Sequence, residues 1–305
     1  MSRQRILVTG AGGFVGSALA LGFAQLGWDV CALDRAFDAA TRVRLARLDL
    51  VTADLSAAPV PALAATRADV IVHAAALTTD PLALGISAAD HVGHNMRPLL
   101  ATLDHAAATL PRAFVFLSST GVFAPGDGTP DLADDSLPSA TGPYAAAKRA
   151  GELLVPAALP QPTACHILRL GHICGLAETA RLSRQRVSAL AAMVAAARSG
   201  QPVPLAETDP LRDWTMAEDL APALARLLDG PGQARPLHFG SPHRMHDRAI
   251  AARIATHLPD LRLALHLAPA PKAPMRPSTL PALHGFAWTR PETVIDALCT
   301  AEVLA

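Results

Sequence analysis

The sequence predicts an α/β chain: a doubly wound parallel sheet followed by a smaller C-terminal lobe. Three observations predict it. Short apolar runs alternate with helical stretches through the first half of the 305 residues. The first run, Ile6-Leu7-Val8, stops at a glycine-rich turn, Gly10 to Gly16, that opens a helix. After Gly175 the alternation gives way to loops, short helices and a proline-rich segment. Alternation of this kind implies parallel strands with helices on both faces. In such sheets a ligand sits beyond the carboxyl ends of the strands.

The elements follow in order. Arg5–Val8 is the first strand, and the helix after the glycines runs to about Leu26. Asp29–Leu33 is the second strand, closed by Asp34, and Leu45–Leu48 reads as a short third. Val70–Ala74 is the fourth strand. A long helix spans Ala88 to Thr109, with Leu99, Leu100 and Leu103 at helical spacing. Ala113–Leu117 is the fifth strand, Tyr144–Leu154 a helix and Cys165–Leu170 the sixth strand. Beyond it, Thr179–Arg186 is a basic loop, and Val187–Ser199, Asp219–Leu228 and Asp247–His257 are helical. Pro236–Gly240 reads as a strand that returns to the first sheet. Pro269, Pro271, Pro274, Pro277 and Pro281 exclude regular structure and predict an ordered loop or lid.

Composition narrows the function. With 26 basic and 26 acidic residues the formal net charge is zero, which argues against nucleic acid or an anionic membrane as partner. No apolar run reaches the ~18 residues of a membrane span. The first strand follows Arg5 at once, so no signal peptide is read. Cys31, Cys165, Cys174 and Cys299 show no C-x-x-C pairing, and a reduced, cytoplasmic setting is expected. His243 and His246 are spaced H-x-x-H without a third ligand pattern, so no metal is expected.

Gly10, Gly13 and Gly16 fall three apart between strand and helix, the arrangement that offers backbone N–H groups to a pyrophosphate. Asp34, about 20 residues further on, can accept hydrogen bonds from both hydroxyls of an adenosine ribose. It favours NAD over NADP, although the neighbouring Arg35 could hold a 2′-phosphate. Tyr144 is the only tyrosine, and Lys148 is one of two lysines in a chain that otherwise uses arginine. At i and i+4 they share a helical face. An ammonium beside a phenol is expected to lower the phenol's pKa and so suit it to proton exchange with a substrate hydroxyl. Ser118-Ser119-Thr120 ends the fifth strand and offers hydroxyls to the same cleft.

These residues carry a resemblance. T-G-A-G-G-F-V-G, Asp34, Asp54-Leu55, H-A-A-A at His73–Ala76, Asn95, L-S-S-T-G-V-F, P-Y-A-A-A-K, L-R-L-G-H-I-C-G and R-D-W-T-M-A-E-D run along nearly the whole chain. Together they resemble the extended short-chain dehydrogenase/reductase family, within it the NAD-dependent epimerase/dehydratase group. The resemblance implies a Rossmann-type NAD-binding domain over residues 1–170 and mainly a substrate-binding lobe over 171–305. It implies that Gly10, Gly13 and Gly16, with Phe14 and Val15, hold the pyrophosphate. Asp34 and Arg35 would meet the ribose, and Asp54 and Leu55 the adenine. Ala74, Ala75, Ala76 and Asn95 would line the cofactor groove. Tyr144 becomes the acid/base, Lys148 the holder of the nicotinamide ribose, and Ser119 the catalytic hydroxyl. Thr78, Thr120, His172, Arg181, Arg212 and Arg276 are the substrate-side candidates. A homodimer is implied, with the Ala88–Thr109 and Tyr144–Leu154 helices pairing between subunits.

Three departures shape the expected function. Members that dehydrate nucleotide sugars carry an Asp-Glu pair after the catalytic hydroxyl, where this chain has Thr120-Gly121. His172 stands where an asparagine is usual. Ser278-Thr279 replace the Gly-Asp expected after Arg276. The expectation is an NAD-dependent oxidoreductase of a secondary alcohol or ketone on a sugar-like substrate, a neutral sugar or an anionic sugar acid. A nucleotide-sugar epimerase is the alternative. A non-catalytic NAD sensor is the weaker one, because Tyr144, Lys148 and Ser119 are all present.

Overall fold

The computed structural model describes residues 3–57 and 60–301. In chain order its elements are β1 (Arg5–Thr9), α1 (Phe14–Gln25), β2 (Asp29–Asp34), α2 (Ala39–Arg44), β3 (Asp49–Thr52), α3 (Pro61–Ala64), β4 (Val70–His73), α4 (Pro81–Leu84), α5 (Ala88–Thr109) and β5 (Ala113–Ser119). Then come α6 (Pro143–Ala158), β6 (Ala164–Leu170), β7 (His172–Cys174), α7 (Ala189–Arg198), β8 (Val203–Ala206) and β9 (Leu211–Met216). The last are α8 (Leu220–Leu228), β10 (Gln233–His238), β11 (Arg244–His246), α9 (Asp247–Ala255), β12 (Leu263–His266) and α10 (Pro291–Thr300).

Seven strands form one sheet in the order β10-β6-β5-β4-β1-β2-β3, every pairing parallel. This is the doubly wound sheet read from the alternation. The period of two along each strand divides the core. Ile6, Val8 and Ala32 face α1 and α8, whereas Leu7, Leu33 and Phe114 face α5 and α6. The chain steps outward from β1 to β3, then returns to β4 on the other side of β1. That reversal opens a crevice at the carboxyl ends of β1 and β4, the place where such sheets bind ligands.

The third strand is a correction. Leu45 caps the end of α2 and is fully buried there, and the strand begins four residues later at Asp49. The apolar spacing of Leu45 and Leu48 serves a helix end and a turn instead. A second core gathers Leu190, Met193, Trp214, Ile250, Ile254 and Ile295. Around it lie the three-stranded sheet β11-β9-β7 and the pair β12-β8. Between these segments the chain revisits the first core, through α8 against α1 and β10 beside β6.

Candidate active site

The glycine turn lies in the crevice at the end of β1. Gly10 has φ +72°, a backbone conformation that suits glycine. A Cβ on it would stand 2.5 Å from the Ala75 nitrogen, so β1 and the segment after β4 meet without room for a side chain. A Cβ on Gly16 would stand 2.1 Å from the Gly10 carbonyl oxygen. Gly13 caps α1 without any side-chain hydrogen bond, so the first amides of that helix face the cleft unpaired. Gly12, which the spacing argument passed over, is equally constrained: a Cβ there would reach Ala36 O at 2.4 Å. Its amide donates to Asp34 Oδ2 at 2.9 Å, and the Ala36 amide donates to Oδ1 at 3.3 Å. Burial raises the Asp34 pKa, and these backbone donors pull it down. Asp34, Arg35, Asp54, Leu55, Ala75 and Ala76 line one small chamber beside the turn.

That chamber adjoins a cleft of about 720 Å³, the size of a ligand site. Phe14, Val15, Ala74, Thr78, Ser119, Tyr144 and Lys148 all line the cleft. Ser119 ends β5, and Tyr144 and Lys148 stand one turn apart at the start of α6. Gly121 joins them: a Cβ there would be 2.9 Å from Tyr144 Cε1 and 3.2 Å from Ser119 Oγ. The Ser119 hydroxyl oxygen accepts the Gly121 amide at 2.9 Å, so its proton stays free for another oxygen. Lys148 is buried and donates to the Leu117 carbonyl at 2.7 Å.

The electrostatics differ from expectation. Burial raises the Tyr144 pKa, and the opposing pulls come from Ser119 and the Arg184 guanidinium, not from Lys148. The ammonium points at a carbonyl and lies 5.8 Å from the centre of the phenol ring. Burial pushes Lys148 itself down to about 8, against the opposing charge of Glu152. Glu152, one more turn along α6, accepts Arg169 Nε and Nη2 at 2.8 Å each and the Ser118 hydroxyl at 2.6 Å.

A second cavity, about 570 Å³, is lined by Thr120 and Gly121. Ser119 and Gly171 line the cleft, while their chain neighbours Thr120 and His172 line the cavity. Arg212 lines it too, with its fork on Asp247: Nε to Oδ1 at 2.8 Å and Nη2 to Oδ2 at 2.9 Å. Its Nη1 lies 3.3 Å from His172 Nε2. Asp213 ties the loops together, accepting the Met275 and His172 amides at 3.2 and 3.3 Å.

A family model described as NAD dependent epimerase/dehydratase matches residues 6–239. The chain belongs to the NAD dependent epimerase/dehydratase family. It is therefore an NAD-dependent enzyme. Solved structures of similar fold include TunA, described as an NAD-dependent NDP-hexosamine 5,6-dehydratase of tunicamycin biosynthesis, with TM-score 0.80, 20% identity and 97% of each chain covered. The ADP-L-glycero-D-manno-heptose-6-epimerase of Helicobacter pylori has TM-score 0.81 and 20% identity, over 97% of this chain and 95% of that one. The Thermus thermophilus UDP-glucose 4-epimerase, solved with NAD, has TM-score 0.78 and 19% identity, over 98% of this chain and all of that one. Among curated proteins, no sequence matches this chain.

For an epimerase/dehydratase family member, the cradle fits NAD. Gly10, Gly12 and Gly16 leave no space for a Cβ, and the uncapped N-terminus of α1 suits a pyrophosphate. Of the expected contacts, Asn95, Arg181 and Arg212 are already engaged by other groups, and Arg276 lies outside both cavities. Asn95 is spent on the backbone, accepting the Leu77 amide at 2.9 Å and donating to Leu77 O and His91 O, so it fixes the loop after β4 instead of facing the groove. Arg181 reaches back to the Gly12 carbonyl, to Thr41 at 2.9 Å and to Asp38 at 3.1 Å, on the glycine-turn side of the cleft. Arg212 serves Asp247 first. Arg276 is exposed and lines neither cavity; its amide holds the Leu132 carbonyl at 2.8 Å.

Two other residues emerge as site groups. Arg184 lines the cleft, paired with Glu178 at 2.6 Å, and acts on Tyr144. Lys272 lines the second cavity. The basic loop lies across the cleft: the Ser183 carbonyl accepts the Thr78 and Thr79 amides at 2.9 and 3.2 Å. His243 and His246 turn to the separate carbonyls of Trp288 and Asp209. No helix among the described residues is long and apolar enough to cross a membrane.

Proposed function

We propose that this enzyme oxidises a secondary alcohol, or reduces the matching ketone, on a sugar or sugar acid, with Tyr144 as the proton-transferring group. The observation that carries the reading is the meeting of Tyr144 and Ser119 against Gly121, with Lys148 one helical turn away. NAD, when bound, supplies the hydride acceptor. In oxidation the substrate hydroxyl gives its proton to the Tyr144 oxygen. Ser119, whose oxygen already accepts the Gly121 amide, turns its own proton to the reacting oxygen and holds the charge that develops there. Lys148 uses one ammonium proton on Leu117 O and keeps two for ribose hydroxyls. Dehydration of the kind that needs a carboxylic acid and a carboxylate after Ser119 is disfavoured, because Thr120-Gly121 supply neither. A side chain at Gly121 would also press on Tyr144.

A second reading, a nucleotide-sugar 4-epimerase, keeps the same proton transfer and adds reduction on the opposite face. The nucleotide-sugar enzymes among its structural neighbours favour it. A screen with NAD separates the two. Sugars or sugar acids that accumulate NADH support dehydrogenation. A UDP-sugar converted to its epimer without net NADH supports the alternative. No product from any of them would leave a sensor. In Tyr144→Phe, turnover should fall about 10²- to 10⁴-fold while NAD still binds. Unchanged turnover sinks Tyr144 as the acid/base.

A further inference from the structure

One cation in the cavity lined by Gly121 has no ion-pair partner among the described residues. The charged lining of the cavity is Arg212, Asp247 and Lys272. Arg212 gives Nε and Nη2 to Asp247 and turns Nη1 toward His172, so a carboxylate already neutralises its charge. His172 leans on Asp213, with Nδ1 3.5 Å from Oδ1. Lys272 makes no ion pair within 4.0 Å among the described residues. Its Nζ touches only the Thr120 carbonyl, at 3.4 Å, a long bond that leaves its protons available. Burial lowers the Lys272 pKa, and the Asp127 carboxylate, held by the Ala124 and Ser139 amides at 2.7 and 2.8 Å, opposes that from further away.

The backbone beside Lys272 is held in place, while its side chain is exposed. The segment just after it is pinned by the Leu132 amide on Pro274 O at 2.9 Å and by the Met275 amide on Asp213 at 3.2 Å. Pro269, Pro271 and Pro274 restrict the backbone between those ties and the cavity. Thr120 O belongs to the peptide that joins Thr120 to Gly121, and Gly121 abuts both Tyr144 and Ser119. The ammonium therefore lies beside Thr120-Gly121, whose other neighbours are Tyr144 and Ser119.

The rest of the lining is mainly aliphatic, with Ala189, Ala192, Met193 and Leu211, alongside Thr120, Thr208 and the His172 and His266 imidazoles. One unpaired positive charge matches one carboxylate better than a diphosphate. We propose that Lys272 is a specificity-determining residue that takes the carboxylate of a sugar acid, on the cavity side of Gly121, while the hydroxyl to be oxidised lies beside Tyr144. The proposal rests on the oxidoreductase reading above and names its substrate class.

The test compares D-gluconate and D-glucuronate with glucitol, glucose, glucose 6-phosphate and UDP-glucose, using the full-length enzyme with NAD. The acids should be used in preference to the neutral sugars. In Lys272→Met the loss of kcat/KM on an acid should exceed the loss on its neutral counterpart about 10- to 100-fold, carried by KM, as for a hydrogen bond to a charged group. Lys272→Arg should recover part of it. Equal losses on acid and neutral substrate overturn the proposal, as does a preference for glucose 6-phosphate or UDP-glucose. Calorimetry on Tyr144→Phe with NAD separates this proposal from the reaction itself. Gluconate binding that disappears in Tyr144→Phe/Lys272→Met supports the site even if no substrate reduces NAD. Binding that is indifferent to Lys272 refutes it even if turnover is found.

Discussion

At the scale of single residues, the Tyr144 phenol, proposed above for proton transfer, is governed by burial. Burial raises its pKa, and Arg184 is the cation that opposes it. A raised pKa keeps the phenol protonated at neutral pH, ready to donate in reduction. Oxidation needs the phenolate, so its rate should climb with pH toward that raised value. Arg184→Gln removes the opposing cation, and the alkaline limb of kcat/KM for oxidation should move to higher pH. Reduction below that limb should keep its pH dependence. A limb that stays where it was in a pH profile would assign the control elsewhere. The residue types were legible in advance: a lone tyrosine, a rare lysine, glycines three apart and an acid at the end of the second strand. Their couplings were not. Nothing in the spacing tells that Lys148 points at Leu117, that Asn95 is consumed by Leu77, or that Arg212 is claimed by Asp247. Those are long-range hydrogen bonds, set by how loops pack after the sheet has formed.

At the scale of elements, α6 and β6 are joined by a buried ion pair directly behind Lys148. Arg169 and Glu152 are 4% and 7% exposed, so neither charge has water to fall back on. Removing one partner from such a pair costs about 3–5 kcal/mol, because the other is left uncompensated. Arg169→Met should therefore lower stability by about that amount in urea unfolding. The double variant Glu152→Gln/Arg169→Met should lose clearly less than the sum of the two single variants. Additive losses would show that the pair does not act as a unit. Long elements with a clear period were readable from the sequence, and the Ala88–Thr109 helix has the bounds read from it. The second lobe was harder to read. Strands β7, β8, β9, β11 and β12 are three to six residues long, too short to show alternation. β7, β8, β9 and β11 become strands because Trp214 and its neighbours need cover, not because of local propensity, whereas β12 is exposed along its length and pairs with β8.

At the scale of the whole molecule, α5 and α6 pack side by side on one face of the sheet, yet they leave apolar side chains in water. Leu153 on α6 is 76% exposed and Leu100 on α5 is 47% exposed. A lone exposed leucine is ordinary, but exposed leucines on two adjoining helices form a patch that suits burial against a partner. We propose that the partner is a second copy of this chain, as the family resemblance implies. A two-fold axis would lay the α5–α6 pair against its equivalent, and one surface would then serve both subunits. Light scattering should give twice the 31.7 kDa chain mass. Leu153→Glu places a carboxylate in that patch twice, once per subunit, and should shift the population to monomer with the fold retained by circular dichroism. A wild-type chain that runs as a monomer at micromolar concentration would refute this interface. So would a dimer that Leu153→Glu leaves intact, since a charge that stays hydrated on association cannot lie in the contact.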